Sequence, residues 1–491
     1  MQVAAVIVAG TAAEAEQQAR VALRRGADLV EVRFDALRHP QAQDLKKLAS
    51  ALGPRAIATL RSPSQGGFHP VAGGARHALL REACHLPFRY VDVELTTDAG
   101  HLEEYAKTAK SRAKDLVVSH HFDRPAEADE VAEILDACLS AGTVGKVAVP
   151  TVSVESAVDL VDLARERKSR RFVLLGMGEP GMLTRALAAD AGQEFQYAVG
   201  NRSTAPGQLA LATALRLRAK DAFVLGLLGH PIGHSVSPQI HEAALQALRL
   251  PGAYLPFDLP EDYLEPFLDA AERLRARGFN VTIPHKEAVA DLMDELDGDA
   301  EALEAVNTVV VKEGWTKGHN TDVSGFRMSL RSLGLRVGDR TVLVVGAGGA
   351  AKAVVHVLLR EGAEVQVANR TPERAEALAD TFDDEVSVLS LEEVARKGPW
   401  DLLVNATPVG TRGMEAALPV PESSLDRTRF VYDLVYNPTE TPLLEAAKRR
   451  GLRHTNGLEM LLQQAAASFE LWTGKAAPFP AMKSAAQEAL R

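Results

Sequence analysis

Apolar residues in the first half of the chain fall in short runs separated by longer amphipathic stretches. Between the runs, the spacing of apolar residues indicates helices, for example over 12–25 and 128–141. Strands alternating with helices are typical of a (β/α)8 barrel, and an open doubly wound sheet, with the same periodicity, is the alternative. Polar residues at several strand ends favour a TIM barrel over residues 1–218. The eight predicted strands are 4–9, 28–34, 56–60, 90–95, 115–119, 146–149, 172–175 and 196–199.

A second α/β pattern follows a short charged junction at 216–221. Strand, helix and strand over 222–330 predict a substrate-binding catalytic lobe, and 335–455 has the pattern of a Rossmann nucleotide-binding domain. A helix predicted over 458–471 should pack back on the catalytic lobe, so that 456–491 complete it. The strands predicted for the Rossmann domain are 341–345, 364–368, 402–405 and 430–433.

Composition agrees with this organisation and excludes several classes of function. The chain has 491 residues, and at ~150 residues per domain this predicts about three compact units. The net charge of −10 argues against a broad nucleic-acid or anionic-membrane surface. No apolar run approaches the ~20 residues of a membrane span, and no basic leader follows Met1. We therefore expect a cytoplasmic protein whose partners are small molecules.

The cysteine content bears on the redox setting of the chain and on metal binding. Cys84 and Cys138 are too few for a disulfide framework or a structural zinc site, which indicates a reducing setting and no metal.

Glu31 and Arg33 point to the same face of one strand, where two charges are costly unless they serve a site. A structural ion pair is an equally good interpretation of those two residues alone.

Further polar residues lie near the ends of the other predicted barrel strands, where barrel active sites are built. A lysine inside an apolar strand can lose its proton through desolvation and attack a carbonyl, with a nearby histidine moving protons. The alternative for such a lysine is a salt-bridge partner. These residues are Arg61, His120, His121, Lys146, Arg185, Thr204 and Gln208.

The order of these motifs resembles type I 3-dehydroquinate dehydratase over residues 1–218. The motifs are Glu31-Val-Arg33, Thr-Leu-Arg61 before Gly66-Gly67, Val-Ser-His120-His121, Gly-Lys146-Val-Ala-Val and Ala-Pro-Gly-Gln208. The resemblance implies a Schiff base between Lys146 and the substrate ketone, with a histidine as general acid and base. It also implies that the substrate carboxylate and hydroxyls are bound by Glu31, Arg33, Arg61, Arg185, Thr204 and Gln208.

The chain departs from that family at three points. Gln65 stands where the family has an acidic residue that helps to orient the histidine, which predicts an altered rate of proton transfer. Thr204 replaces a common serine but still supplies a hydroxyl. The histidine motif is shortened. Its Ser-x-His spacing selects His121, whereas its His-x-aromatic spacing selects His120, and we favour His121.

In the second half, a glycine-rich turn follows a predicted strand and opens a helix. This context makes it a pyrophosphate site, where backbone N–H groups and the helix N-terminus face the phosphates. The next strand ends in Asn369-Arg370-Thr371, with Arg374 nearby, where an NAD site would have an acidic residue. The arginines favour NADP(H), and solvated surface arginines are the alternative. The turn consists of Gly346, Ala347, Gly348, Gly349 and Ala350.

Upstream of this turn lies a set of polar residues that could hold a hydroxylated substrate. A paired Lys286 and Asp322 could bind a hydroxyl and relay its proton during hydride transfer without a metal. Taken singly, Lys286 and Asp322 are better explained as surface charges, and Ser237 is also consistent with a helix N-cap. The other members are Ser235, Thr282 and Asn307.

This set closely resembles shikimate dehydrogenase over residues 222–491. The shared motifs are Ser235-Val-Ser-Pro238, Asn280-Val-Thr-Ile-Pro-His-Lys286, Asn320-Thr-Asp-Val-Ser-Gly325, Asn405-Ala-Thr-Pro-Val-Gly410 and Asn456-Gly-Leu-Glu-Met-Leu-Leu-Gln-Gln464. The resemblance implies Lys286 and Asp322 as the catalytic pair, and Thr407 and Gly457 near the nicotinamide. The implied substrate ligands are Ser235, Ser237, Thr282, Asn307, Tyr436 and Gln464.

The two resemblances belong to consecutive reactions, because the dehydratase product is the dehydrogenase substrate. The expected function is conversion of 3-dehydroquinate to 3-dehydroshikimate and then, with NADPH, to shikimate. One alternative is an NAD-linked shikimate or quinate dehydrogenase. Another is an active dehydrogenase that carries a non-catalytic binding or regulatory barrel.

Overall fold

The computed structural model describes residues 1–219, 221–233, 235–382, 385–413 and 417–491. Lys220, in the predicted junction, and His234, directly before Ser235, lie outside the described residues. The chain divides into two compact units. The first comprises Met1–Leu225, Arg249–Leu259 and Arg273–Arg275, and the second comprises Gly226–Leu248, Pro260–Glu272 and Ala276–Arg491.

The first unit contains one parallel eight-stranded sheet in the order β7-β6-β5-β4-β3-β2-β1-β8. Its strands are β1 Gln2–Ile7, β2 Leu29–Arg33, β3 Ala56–Thr59, β4 Tyr90–Glu94, β5 Asp115–His121, β6 Val144–Pro150, β7 Phe172–Met177 and β8 Phe195–Val199. Its helices are α1 Ala12–Arg24, α2 Ala42–Leu52, α3 Gly73–His85, α4 Leu102–Ser111, α5 Ala128–Ala141, α6 Val154–Glu166, α7 Met182–Ala186 and α8 Leu211–Leu217.

The ends of this sheet, β7 and β8, are joined by a side-chain amide. Gln193 Oε1 accepts the Leu174 N–H at 3.0 Å, and its Nε2 donates to the Leu174 carbonyl at 3.1 Å. The Glu194 N–H donates to the Phe172 carbonyl at 2.9 Å. The buried glutamine thus supplies hydrogen bonds that a strand ladder would otherwise make. The predicted TIM barrel is confirmed, and the open doubly wound alternative is wrong for this half.

Alternation along the strands separates two apolar cores. Outward-facing residues such as Val30 and Val91 pack with the helices, where Leu48 and Leu135 are fully buried. The inward cluster fills the barrel, as parallel barrels require. It contains Ala4, Val6, Leu29, Ile57, Tyr90, Val117, Val144, Ala148, Val173, Leu175, Phe195 and Tyr197.

Two sheets follow along the rest of the chain. One contains, side by side, β9, β11, β13, β14 and β12, and the other is parallel in the order β17-β16-β15-β18-β19-β20. The strands are β9 Phe223–Gly229, β10 Gly252–Asp258, β11 Ala276–Val281, β12 Glu295–Leu296, β13 Thr308–Lys312, β14 Trp315–His319, β15 Thr341–Val345, β16 Glu364–Ala368, β17 Val386–Leu389, β18 Leu402–Asn405, β19 Phe430–Asp433 and β20 Arg453–Thr455. The helices are α9 Ser237–Ala247, α10 Leu264–Asp269, α11 Lys286–Asp291, α12 Gly298–Leu303, α13 Thr321–Ser332, α14 Gly349–Arg360, α15 Pro372–Asp380, α16 Leu391–Val394, α17 Pro442–Arg449, α18 Leu458–Thr473 and α19 Phe479–Ala489.

The order of the second parallel sheet is that of a Rossmann domain, with the strand order reversing between β15 and β18. Ligands bind such sheets at the carboxyl ends of the strands where the order reverses. The glycine-rich turn follows β15 directly, so it lies at that point. The predicted Rossmann fold is confirmed.

The C-terminal helix α18 packs on the strands that precede the Rossmann domain. Ser468 Oγ lies 3.0 Å from Asn280 Nδ2 and 2.8 Å from Thr308 Oγ1, and the Trp472 indole donates to the Val309 carbonyl at 2.9 Å. These buried polar contacts hold the last helix against β11 and β13. None of the described helices is both long enough and apolar enough to cross a membrane.

Candidate active sites

A cavity of about 430 Å³ lies in the barrel and is lined by polar residues from several strand ends. Every barrel residue predicted to bind or convert a substrate lines it, except His120. Gln65 and Tyr197 line it as well. The predicted residues brought together there are Glu31, Arg33, Arg61, His121, Lys146, Arg185, Thr204 and Gln208.

Lys146 lies within β6 and is almost completely buried, with 3% of its surface exposed. Its Nζ lies 2.8 Å from Asp92 Oδ2, 3.0 Å from the Tyr197 hydroxyl and 3.6 Å from Glu31 Oε1. Although the strand itself is apolar, two carboxylates and a phenol surround the amine. The amine is therefore held in one position at the wall of the cavity.

Arg61 is fixed by a buried network behind Lys146. Its guanidinium contacts Asp92 at 2.8 Å, Ser119 Oγ at 2.8 Å and Glu94 at 3.3 Å. Burial disfavours the Asp92 carboxylate, but the charges of Arg61 and Lys146 outweigh it and lower the pKa of Asp92 to about 2. Asp92 is therefore a fixed anion, and Arg61 has little donor capacity left for a substrate.

Asp92 and Glu94 were missed in the sequence, although a signal was present. They alternate along β4 as Glu31 and Arg33 do along β2, and both are fully buried. Two like charges on one face of a buried strand require a cationic partner. Arg61 contacts both of them, Lys146 also pairs with Asp92, and Arg76 also pairs with Glu94.

Glu31 and Arg33 do not pair with each other, so the structural ion-pair interpretation is wrong. Arg33 forms a two-point contact with Asp35, at 2.9 and 2.7 Å. Glu31 accepts a hydrogen bond from Thr59 Oγ1 at 2.9 Å. Both side chains still reach the cavity wall.

Arg185 is the cation best placed to receive an anion. It is 2% exposed, its Nε has no hydrogen-bond partner, and no carboxylate of the described residues pairs with it. Burial alone lowers the pKa of Arg185 to about 10. Gln208 Oε1, which also lines the cavity, accepts the Thr204 N–H at 3.1 Å, and this contact orders the last predicted substrate-binding loop.

The structure distinguishes the two histidines. His121 and His120 both lie within β5, and only His121 lines the cavity. The His120 ring packs edge-on against Phe122. Burial, followed by the charges of Arg61, Lys146 and Arg33, lowers the pKa of His121 well below 6.5. His121 is therefore neutral at neutral pH, as a general base must be.

Gln65 keeps a contact with the histidine segment. Its Oε1 accepts the backbone N–H of His121 at 3.0 Å, and its Nε2 donates to Thr96 Oγ1 at 3.2 Å. The glutamine thus positions the main chain at His121, while the His121 Nδ1 has no hydrogen-bond partner. The predicted change in proton-transfer rate stays a prediction.

The second candidate site centres on Lys286 and Asp322. Lys286 begins α11 and Asp322 lies in the first turn of α13, and their Nζ and Oδ2 atoms are 2.5 Å apart. A Cβ added at Gly349 would lie 3.4 Å from the Lys286 side chain. The pair therefore lies beside the start of the nucleotide-binding helix α14.

The other predicted substrate ligands differ in their hydrogen bonds, burial and position. Asn307 Oδ1 accepts the Thr321 N–H at 2.7 Å, and Gln464 Nε2 donates to the Leu461 carbonyl at 3.0 Å. Burial raises the pKa of Tyr436, and Thr282 lies just after β11.

Ser237 does not cap its helix. Val236 is the N-cap residue of α9, and no side chain makes a capping hydrogen bond there. Instead, Ser235 Oγ accepts the Ser237 N–H at 3.2 Å. The N-cap interpretation is wrong, and the Ser237 hydroxyl is left available for another role.

The glycine-rich turn fits a dinucleotide pyrophosphate. Gly346 has φ +118°, and a Cβ there would lie 3.0 Å from the backbone of Ala406. Gly348 is the N-cap of α14 and faces open space. Together with Ala347, Gly349 and Ala350, these residues present the helix N-terminus to a phosphate group.

The turn after β16 carries unpaired cations. Asn369 Nδ2 donates to the Thr371 carbonyl at 2.9 Å, which orders this turn. Arg370 and Arg374 are exposed and have no ion-pair partner among the described residues. This donor set suits a 2′-phosphate, and Asn369 directly follows β16, where an NAD site would have an acidic residue to bind the ribose hydroxyls.

A buried network that the sequence did not reveal lies around Thr407, one of the two residues expected near the nicotinamide. Asn405 Nδ2 donates to Asp433 at 2.8 Å, and Asn405 Oδ1 accepts from Thr407 Oγ1 at 2.6 Å. A Cβ at Gly457 would collide with the Leu434 carbonyl. Thr407 and Gly457 are therefore tightly positioned.

The fold and the two lysine-centred sites define the class as a barrel lyase joined to a nicotinamide-dependent dehydrogenase. Residues 3–220 match the type I 3-dehydroquinases, and residues 227–309 match the shikimate dehydrogenase substrate-binding domain. Residues 329–411 match shikimate/quinate 5-dehydrogenase, and 457–487 match the shikimate 5'-dehydrogenase C-terminal domain. The chain belongs to the family of bifunctional 3-dehydroquinate dehydratase/shikimate dehydrogenases.

Individual relatives agree with this assignment. The Arabidopsis thaliana chloroplastic bifunctional 3-dehydroquinate dehydratase/shikimate dehydrogenase is 32% identical over 484 residues, covering 92% of this chain and 79% of that protein. An NADP⁺ shikimate dehydrogenase from Caldanaerobacter subterraneus is 44% identical, over 51% of this chain and 92% of its own. The Thermus thermophilus shikimate 5-dehydrogenase in complex with NADP(H) and shikimate is 40% identical with a TM-score of 0.50, over 55% of this chain and all of its own.

These matches favour the two-enzyme interpretation over its alternatives. The full-length relative carries both enzyme names, which argues against a non-catalytic barrel. The relatives from Caldanaerobacter subterraneus and Archaeoglobus fulgidus are named as NADP⁺ enzymes, which favours NADP over an NAD-linked dehydrogenase. The predicted lyase, oxidoreductase and NADP assignments are confirmed.

Proposed function

We propose that this chain converts 3-dehydroquinate to 3-dehydroshikimate in the barrel and reduces that product to shikimate with NADPH in the second unit. The observation that carries the proposal is the buried Lys146, which faces a cavity that also contains an uncompensated Arg185. A nucleophilic amine beside an anion-binding cation suits a substrate with a ketone and a carboxylate.

In the dehydratase site, Lys146 would attack the substrate ketone and form a Schiff base. His121, neutral and lining the cavity, would remove the carbon-bound proton and return one to the departing hydroxyl as water forms. Arg185 would bind the carboxylate, since Arg33 and Arg61 are already paired with carboxylates. Glu31, Thr204 and Gln208 would bind hydroxyl groups.

In the dehydrogenase site, Lys286 would hold the ketone oxygen and give it a proton as the alcohol forms. Asp322, 2.5 Å from the Lys286 amine, would orient that amine and bind an adjacent hydroxyl. NADPH, when bound, supplies the hydride. The glycine turn from Gly346 would hold its pyrophosphate and Arg370 its 2′-phosphate. The remaining substrate ligands would be Ser235, Ser237, Thr282, Asn307, Tyr436 and Gln464.

Borohydride trapping tests the dehydratase half of this proposal. Reduction of a mixture of enzyme and 3-dehydroquinate should leave a stable adduct on Lys146, located by mass spectrometry of the digested chain. Loss of enzyme activity in step with adduct formation would connect the adduct to catalysis. A folded protein without an adduct on Lys146 would rule out imine chemistry there.

Arg370→Ala should weaken NADPH binding far more than NADH binding, because the exposed guanidinium would lose a charge-assisted contact with the 2′-phosphate. A contact of this kind is worth about 1.5–3 kcal/mol, which corresponds to a rise in KM for NADPH of roughly 10- to 100-fold. Steady-state reduction of 3-dehydroshikimate with NADPH and with NADH gives the comparison. Arg396→Ala, another exposed arginine of the Rossmann domain, is the control. An equal effect on both nucleotides would contradict the proposed role.

His121→Gln should slow dehydration by about 10²- to 10⁴-fold, whereas His120→Gln should change it little. The reason is that only His121 faces the cavity. Because the pKa of His121 is lowered, the unprotonated base persists below pH 6.5, so wild-type kcat/KM should fall only in more acidic solution. A pH profile of both variants and the wild type measures this. A large loss in the His120 variant alone would reverse the assignment.

We also infer a reducing, cytoplasmic setting. Cys84 and Cys138 are free and buried, and burial raises the pKa of each thiol to about 12. Neither thiol is suited to disulfide exchange, since the thiolate is the reactive form. Fractionation of the native cell with an antibody to the chain would test the location.

A further inference from the structure

We propose that the Tyr197 hydroxyl is a second proton carrier of the dehydratase site, which moves protons between the Lys146 nitrogen and the substrate oxygen as the imine forms and is hydrolysed. This assignment rests on the Schiff-base chemistry proposed above. It separates two tasks: Tyr197 serves the covalent steps at nitrogen, and His121 serves the dehydration itself.

Geometry places the phenol against the nucleophile. The Tyr197 hydroxyl accepts a hydrogen bond from Lys146 Nζ at 3.0 Å, and the Lys146 ammonium lies 4.2 Å from the centre of the Tyr197 ring. Tyr197 is 3% exposed and lines the cavity. Its own proton goes to no acceptor among the described residues, so the O–H bond is free to point at a bound substrate.

The hydroxyl is also the neighbour of Lys146 that can both give and take a proton. Asp92 is held as an anion with a pKa of about 2, and it already accepts from Lys146, Arg61 and Ser119. Glu31 accepts from Thr59.

The charges around Tyr197 keep its proton in place. Burial, together with the nearby carboxylates of Glu31 and Asp92, raises the pKa of Tyr197 well above 10, and Arg61 and Arg33 only partly oppose this. The phenol therefore starts each step protonated.

The proton balance of imine formation requires such a group. A ketone and a lysine ammonium give a protonated imine and one water, so two protons pass from nitrogen to oxygen. In the first transfer the nitrogen lone pair bonds to carbon, the C=O π pair moves to oxygen, and a carbinolamine results. In the second, the C–O bond breaks, the nitrogen lone pair forms C=N, and the oxygen leaves as water. In each transfer Tyr197 gives its proton to oxygen and regains one from nitrogen, ending unchanged.

The test removes one oxygen atom. Tyr197→Phe keeps the ring that packs against Lys146 and deletes the hydroxyl. In rapid-quench borohydride trapping with 3-dehydroquinate, the rate constant for adduct formation should fall at least about tenfold relative to wild type. Tyr90→Phe, which removes a buried barrel hydroxyl bonded to Glu194, is the matched control and should trap at the wild-type rate. Thermal unfolding of all three proteins checks that the barrel is intact.

Buffer rescue distinguishes a proton carrier from a packing residue. Adding imidazole should speed adduct formation in Tyr197→Phe and leave the wild type unchanged, since a diffusible acid-base replaces the lost one. An unchanged trapping rate in Tyr197→Phe would overturn the inference, and so would a slowed rate that does not respond to imidazole. If wild type itself forms no adduct on Lys146, it is the proposed Schiff-base function that fails.

Discussion

Replacing Lys146 with alanine should abolish dehydration of 3-dehydroquinate while leaving NADPH-dependent reduction of 3-dehydroshikimate intact. Loss of a covalent nucleophile should lower the dehydratase rate by at least about 10⁴-fold. The barrel should still fold, because Asp92 keeps its contacts with Arg61 and Ser119. Separate assays of the two reactions on the same preparation measure the effect.

Lys146→Arg sharpens this experiment because it retains a cation beside Asp92 but lacks a nucleophilic amine. It should be as inactive in dehydration as the alanine variant. Lys110→Ala, an exposed lysine of the same barrel, should behave like wild type. Substantial dehydratase activity in either Lys146 variant would contradict the covalent mechanism, and loss of both activities in a folded variant would contradict the independence of the two sites.

Lys286→Ala should have the converse effect, lowering 3-dehydroshikimate reduction by about 10²- to 10⁴-fold while dehydration continues. The reason is that Lys286 is the cation paired with Asp322 at 2.5 Å and would supply the proton to the ketone oxygen. NADPH oxidation with 3-dehydroshikimate as substrate measures the loss. Formation of 3-dehydroshikimate from 3-dehydroquinate, measured separately without NADPH, reports the barrel.

Two further variants define what Lys286 contributes. Asp322→Asn keeps the shape of the partner but removes its charge, and it should lower the rate of reduction without abolishing NADPH binding. Lys397→Ala, an exposed lysine of the Rossmann domain, is the control. A Lys286 variant with an unchanged kcat for reduction would remove this lysine from the chemistry.

The strands and the nucleotide-binding turn were predictable because each depends on local pattern. Short apolar runs between helical stretches located all eight barrel strands, and the φ of +118° at Gly346 explains why glycine begins the turn after β15. Lys146 and Arg185 were predicted because charge is costly at buried positions and therefore stands out.

The partners of those residues were not predictable in the same way, because they come together only through tertiary packing. Asp92 on β4 pairs with Arg61, which follows the neighbouring β3, and with Lys146 on β6, two strands away, and sequence spacing does not record those contacts. Tyr197 looked like an ordinary aromatic residue of a buried strand until its hydroxyl was placed 3.0 Å from the lysine. Gln193, which joins the two ends of the sheet, carries no local signal at all.

The central claim is that one chain catalyses both steps, and a coupled assay tests it most directly. Purified protein mixed with 3-dehydroquinate and NADPH should consume NADPH and form an equal amount of shikimate, with no second enzyme added. The Lys146→Ala variant should consume NADPH only when 3-dehydroshikimate is supplied instead. If the wild-type chain reduces 3-dehydroshikimate but leaves NADPH untouched in the presence of 3-dehydroquinate, the barrel is not a dehydratase and the account is contradicted.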